Sequence, residues 1–373
     1  MQNSSIDVEL QEQPMDCCFH PTEMLAAVGL INGRVQAYRL TSSDDLSSST
    51  AEELVSKKAH KESCRAVRFT ADGAALLTAS TDRNMKSVDM ESGKVTRWQT
   101  DAHEAPINCI LPLSSSGLVA SGDDDGCVKL WDGRQSDAVA EFSTHTDCVT
   151  DFAYQARENC LVATSADATI SITDLRTRKL RARSEDDADD ELLSAAVVKS
   201  GNKVVTGSQM GVLNLYSWGY FNDCSDRFPG HPASVDALVA FDEDSVVTGS
   251  QDGLIRLISI LPNRMLGVLG EHGDLPVESL ALSAGRAYLA STSHDALLRL
   301  WDLSALNEDD AEDDDDEAAD NPAAEGDGPK GDGSESDSDE KPQKKKKRRK
   351  SEKGGGVTKK QSHKDASFFA DLL

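Results

Sequence analysis

No two of the eight cysteines form a CxxC pair and no histidines stand at zinc-ligand spacing, which excludes a zinc ribbon or finger. Cys17, Cys18, Cys64, Cys109, Cys127, Cys148, Cys160 and Cys224 are therefore read as reduced thiols that fill strand faces as small apolar groups. No run comes near the roughly 18 apolar residues that span a bilayer. The first residues are acidic with no basic run, unlike a secretory signal, so a soluble intracellular protein without a membrane partner is expected. Also missing are a nucleophile elbow, a P-loop, an HExxH helix and a dinucleotide-binding glycine turn. An enzyme, a cofactor and a bound metal are all unexpected on that ground.

Positive charge is scarce until the chain is nearly over. Residues 308 to 340 hold 17 Asp and Glu against one Lys, whereas residues 341 to 364 hold 12 Lys and Arg against one Glu. With two more Asp in residues 365 to 373, this tail carries −7 of the formal −26, leaving −19 on residues 1 to 307. Such a surface repels nucleic-acid phosphate over most of its area, so RNA contact is expected through the basic tail alone.

What the sequence does contain is a repeat. Asn32-Gly33, Asp82-Arg83, Asp125-Gly126, Asp167-Ala168, Met210-Gly211, Asp252-Gly253 and Asp295-Ala296 each follow a small-residue strand ending and precede apolar residues of period two. From the second turn onward the spacings are 43, 42, 43, 42 and 43, and the first, lengthened by the polar stretch Thr41 to Thr50, is 50. His60, His103, His145, His231 and His272 precede their turns by 22, 22, 22, 21 and 23 residues. A period near 43 marks four-stranded propeller blades, which cannot bury both faces alone and so stack around a channel.

The pairs Trp131-Asp132 and Trp301-Asp302 close the third and seventh copies, and with the phased histidines they resemble the WD40 family. The resemblance implies an all-β, seven-bladed propeller over residues 1–306 in which His, a strand hydroxyl, the turn Asp and the terminal Trp form a relay. In the third copy that relay falls on His103, Asp125 and Trp131. Blades one and five lack the His and rely more on packing. Because the Asp–His pattern recurs at blade period, it is read as structural, not catalytic. Ile6, Val8 and Leu10 alternate, and the WD40 pattern places them as the closing strand beside Leu297 to Leu303. A closed ring buries its own edges, so a monomer is expected.

Beyond residue 306 the acidic segment 307–340 and the basic segment 341–364 bury nothing that offsets chain entropy, and disorder is expected. Ser334 and Ser336, each with an Asp three residues on, resemble acidophilic-kinase sites. Lys344, Lys345, Lys346, Lys347, Arg348, Arg349 and Lys350 form the kind of run read by a nuclear import receptor. Nuclear and nucleolar residence is expected, with a cytoplasmic pool also allowed. Residues 365–373, ending Ser367-Phe368-Phe369-Ala370-Asp371-Leu372-Leu373, read as a short linear docking motif.

Two blade endings depart from the generic pattern: Trp131-Asp132-Gly133-Arg134 and Thr173-Asp174-Leu175-Arg176. They resemble the WDxR boxes of substrate receptors for cullin-4 ubiquitin ligases. That resemblance assigns contact with the ligase adaptor, a damaged-DNA-binding protein, to Arg134 and Arg176, supported by Asp132 and Asp174. Gly133 and Thr173 depart from the box. Finally, Phe19-His20-Pro21, His103 to Asn108, Ser225-Asp226-Arg227-Phe228, Ile260 to Arg264, Pro276-Val277-Glu278 and Phe368 to Leu372 resemble the WD repeat-containing protein 55 family of nucleolar propellers. That likeness implies a scaffold in rRNA processing and ribosome biogenesis with pre-ribosomal factors as partners; a ligase-receptor role is the alternative.

Overall fold

A computed structural model describes residues 5–41, 50–113, 117–185 and 190–306. Among these, twenty-eight strands form seven four-stranded antiparallel sheets. In six sheets the strands follow chain order, which makes each a meander: blade one spans Pro14–Lys58, blade two Cys64–Gln99, blade three Ile107–Ser143, blade four Val149–Arg183, blade five Leu192–Pro229 and blade six Val235–Glu271. The seventh takes three strands from Val277–Asp302, and its outer strand is Ser5–Glu9. Ile6 lies opposite Leu300 and Val8 opposite Leu298, so the alternation at the start of the chain closes the ring.

Each blade is sandwiched between two others, and that sets its composition. Seven apolar clusters occupy the seven blade interfaces; the one joining blades seven and one contains Val8, Leu10, Leu298 and Leu300 with Cys17, Val28 and Leu30. The second strand of blade three, Leu118–Asp123, is buried along its whole length, because both faces meet a neighbour. Small residues fit that slot. A Cβ on Gly122 would lie 2.6 Å from Val149 Cγ1 in the next blade, and one on Gly249 would lie 2.6 Å from Val277 Cγ1. Close approach, not turn geometry, accounts for these two glycines.

All seven turns between second and third strands put their second residue at positive φ, from 58° at Ala296 to 80° at Gly211. Arg83, Ala168 and Ala296 bear that conformation with a Cβ, which costs on the order of 1 kcal/mol each. The innermost strands share a second irregularity. In every blade the register slips between the first and third residue, leaving Met15, Arg65, Asn108, Thr150, Leu193, Asp236 and Glu278 as bulges. A bulge re-aims one side chain, and here seven of them form a ring lining the central channel.

Candidate functional site

The blade relay is built on the loop that enters each innermost strand. His60 shows how it joins neighbours: its N–H donates to Gly33 O in blade one (2.9 Å), while its ring meets Asp82 (3.1 Å) and Thr78 (2.8 Å) in blade two. His272 repeats this between blades six and seven, with Gly253 O at 2.8 Å, Asp295 at 2.7 Å and Ser291 at 2.7 Å. In blade three the chain runs from Trp131 Nε1–H to Ser121 Oγ (2.7 Å), on to His103 Nε2 (2.6 Å), and from Nδ1 to a carboxylate (2.7 Å).

That carboxylate is Asp123, not Asp125, which corrects the assignment made from turn position. Asp125 is exposed, whereas Asp123 ends the buried second strand one step inside the turn. Its other oxygen accepts the N–H groups of Asp125 (3.1 Å) and Cys127 (2.8 Å), so Asp123 both caps the turn and holds the histidine. Other blades redistribute the parts. Blade four has Ala163 where the strand hydroxyl belongs, and its cross-strand partner Ser171 supplies the hydroxyl to His145 at 2.8 Å. In blade six Arg256 takes Asp252 in a fork of 2.5 and 3.0 Å, so His231 bonds Thr248 alone. Blade five, without a histidine, leaves Thr206 Oγ1 buried with no partner.

The two arginines of the WDxR-like boxes sit on the turns joining third and outer strands of adjacent blades, hence on one face of the ring. Their geometry differs. Arg134 is 85% exposed and forms a fork with Asp132 at 2.8 and 2.6 Å, which holds the Asp132 carboxyl down at about 2. Asp174 instead accepts the backbone N–H groups of Thr177 (2.9 Å) and Arg176 (2.8 Å), which lower its pKa and leave the Arg176 side chain extended to solvent. Asp132 therefore orients its arginine; Asp174 shapes only the turn.

The channel was not legible as a site. It encloses about 480 Å³ and carries charge unevenly. Asp16 accepts from Val67 N–H (2.8 Å), Ser279 Oγ (2.8 Å) and the Arg68 guanidinium, tying blades one, two and seven. Asp151 accepts the N–H of Ala195 in blade five at 3.0 Å. Burial pushes both Asp151 and Asp236 up to about 6. At the bulge ring, Arg65 bridges Asn108 and Asp124 (3.1 Å), and Glu278 meets His294.

Comparison with known proteins agrees with this architecture. The WDR55 family model matches residues 5–306. The chain belongs to the WD repeat-containing protein 55 family. It is 44% identical to WD repeat-containing protein 55 of Arabidopsis thaliana over 81% of this chain and 84% of that one. It is 37% identical to WD repeat-containing protein JIP5 of Coprinopsis cinerea, covering 80% and 74%, and 36% identical to the Homo sapiens WD repeat-containing protein 55, covering 80% and 77%.

Within this member of the family, the chemistry open to the buried groups is narrow. His103, Asp123 and Cys127 place donor atoms within 4.8 Å of one another, as a metal site would. Yet the His–carboxylate bond recurs in blades two and seven with no third donor grouped beside it among the described residues, so it belongs to the repeat. Burial pushes the Cys17 thiol up to about 12 and the Cys148 thiol up to about 11, far from the thiolate form a nucleophile needs. The acidic segment 307–340 with Ser334 and Ser336, the basic run Lys344 to Lys350 and the terminal motif 365–373 lie outside the described residues.

Proposed function

We propose that this propeller is a non-enzymatic interaction scaffold that acts in the nucleolus, in rRNA processing and ribosome assembly. The observation that carries the scaffold reading is the saturation of the relays: in blades two, three, four and seven both histidine ring nitrogens are bound by groups of their own blade. Groups consumed in holding the ring do no chemistry, and what faces outward is turns and loops. The likeness to the WD repeat-containing protein 55 family supports the ribosomal setting, and the run Lys344 to Lys350 supports delivery by a nuclear import receptor.

A second reading has its own observation. Arg134, held rigid by Asp132 yet exposed, and Arg176 on the equivalent turn of the next blade suit contact with a cullin-4 ligase adaptor through acceptors in fixed geometry. The test is to recover tagged full-length protein and an Arg134→Ala, Arg176→Ala variant from nuclear extract and identify bound proteins by mass spectrometry. Pre-ribosomal factors retained equally by both forms support the scaffold. An adaptor bound to wild type and lost from the variant establishes the ligase role. Recovery of neither class refutes both.

A further inference from the structure

On a propeller whose net charge is strongly negative, one hairpin runs the other way. Between Asp174 and Arg183 stand Arg176, Arg178, Lys179, Arg181 and Arg183 against Asp174 as the single acid. These residues form the turn and outer strand of blade four, with Arg176, Arg178, Lys179 and Arg181 exposed. Arg157 joins them on the same face from the neighbouring turn, bound to Asn202 Oδ1 at 3.0 Å; Leu175 N–H donates to Asn159 O (3.1 Å), which ties the two turns together.

The acids at the hairpin are already engaged: Glu158 pairs with Arg181, Asp167 with Arg183 at 3.0 Å, and Asp174 caps two backbone N–H groups; on the aromatic turn Asp223 is exposed and lies 3.8 Å from Arg227. Arg176, Arg178 and Lys179 have no carboxylate within ion-pair distance among the described residues. Aromatic surface borders the hairpin at Arg181. The Arg181 guanidinium lies 5.9 Å from the centre of the Trp218 ring in blade five, and Trp218 packs edge-on against Phe221 at 5.1 Å. From the same turn projects Tyr220, 79% exposed, and Leu180 beside Arg181 is 42% exposed.

Unpaired cations on the blade-four turn and an exposed ring on the blade-five turn of the same face, joined where Arg181 meets Trp218, offer what a single nucleic-acid strand needs: charge for phosphates, a π-face for a base. We propose that the rim of blades four and five binds a short single-stranded segment of RNA, with Arg176, Arg178 and Lys179 on phosphates and Tyr220 stacked on a base. The surrounding acidic surface confines the site to a few nucleotides and repels longer duplexes. The ribosomal reading supplies only the expectation that the strand is RNA; binding itself stands or falls alone.

The test uses the full chain with all twelve Lys and Arg of residues 341–364 changed to Ala, so that the basic segment contributes no cation. Its binding to a labelled oligouridylate of about a dozen nucleotides, longer than a site of roughly 4, is followed by fluorescence anisotropy across salt concentrations. Adding Arg176→Ala, Arg178→Ala and Lys179→Ala should weaken binding at least about tenfold and reduce the log–log salt slope by about 2, since each phosphate contact on a single strand contributes about 0.7. Adding Tyr220→Ala should weaken binding about tenfold with the slope unchanged. Removing Lys57, Lys58 and Lys61 instead is the equal-charge control, and thermal melting verifies that each variant folds. Equal losses in control and triple variant, or no binding by the chain without the basic segment's cations, overturn the proposal and leave the scaffold reading intact. Displacement by polyglutamate at lower concentration than by unlabelled oligouridylate overturns it in favour of an acidic protein partner. An oligodeoxythymidylate bound more tightly than oligouridylate overturns the assignment to RNA.

Discussion

Ser121 and Thr206 occupy the same place in blades three and five, both fully buried, yet removing their hydroxyls should have opposite consequences. Ser121 Oγ accepts the Trp131 Nε1–H at 2.7 Å and donates to His103 Nε2 at 2.6 Å. Ser121→Ala strands both groups in an interface that water does not reach. Each buried orphan costs about 1–3 kcal/mol, so the variant, with two, should lose about 2–6 kcal/mol. Thr206 Oγ1 has no partner to lose. Thr206→Val keeps the shape and removes an unsatisfied group, so stability should stay level or rise by about 1 kcal/mol. The assay is urea unfolding followed by tryptophan fluorescence, with midpoints compared at equal slope. Ser121→Ala within about 0.5 kcal/mol of wild type, or Thr206→Val as costly as Ser121→Ala, would refute the account of the relay.

Three more perturbations test other parts of the ring. Deleting residues 1–10 removes the outer strand of blade seven and the burial of Val8 and Leu10, about 3–6 kcal/mol at 1.5–3 per side chain; light scattering on warming should show aggregation through the exposed edge. Asp151 titrates near 6 in the folded chain because it is buried, against about 4 unfolded. Its stabilising contribution is therefore full below pH of about 4 and lost as pH rises through 6, so Asp151→Asn should melt higher than wild type at neutral pH and level with it in acid. Burial, with Arg256 nearby, lowers His231 to about 4, so its contribution is present above pH of about 6.5 and lost as pH falls toward 4. His231→Gln should flatten that part of the melting profile.

How far the ring could be read from the chain depended on whether the signal was local. Turn pairs such as Asp252-Gly253 and the alternation of Ile6, Val8 and Leu10 report backbone conformation and facing directly, and both appear in the fold where expected. The relay acid was misread because Asp123, Asp124 and Asp125 are consecutive, and only burial separates the one inside the blade from the one in solvent. The hydroxyl that moves from Ala163 to Ser171 depends on cross-strand register, which no single strand carries. The seven bulges were silent for the same reason: residues as unlike as Met15, Thr150 and Glu278 share a position without sharing a chemistry. Arg134 and Arg176 match in spacing, but competition between backbone and side chain for Asp132 and Asp174 makes them different groups.

The most direct test of the scaffold's proposed place in ribosome assembly is to deplete the protein from cells and measure rRNA precursors against mature rRNA by hybridisation. Unprocessed precursors should accumulate, and re-expression of the wild-type chain should clear them. Precursor levels unchanged at full depletion would contradict the ribosomal role and leave a propeller whose scaffold serves some other assembly.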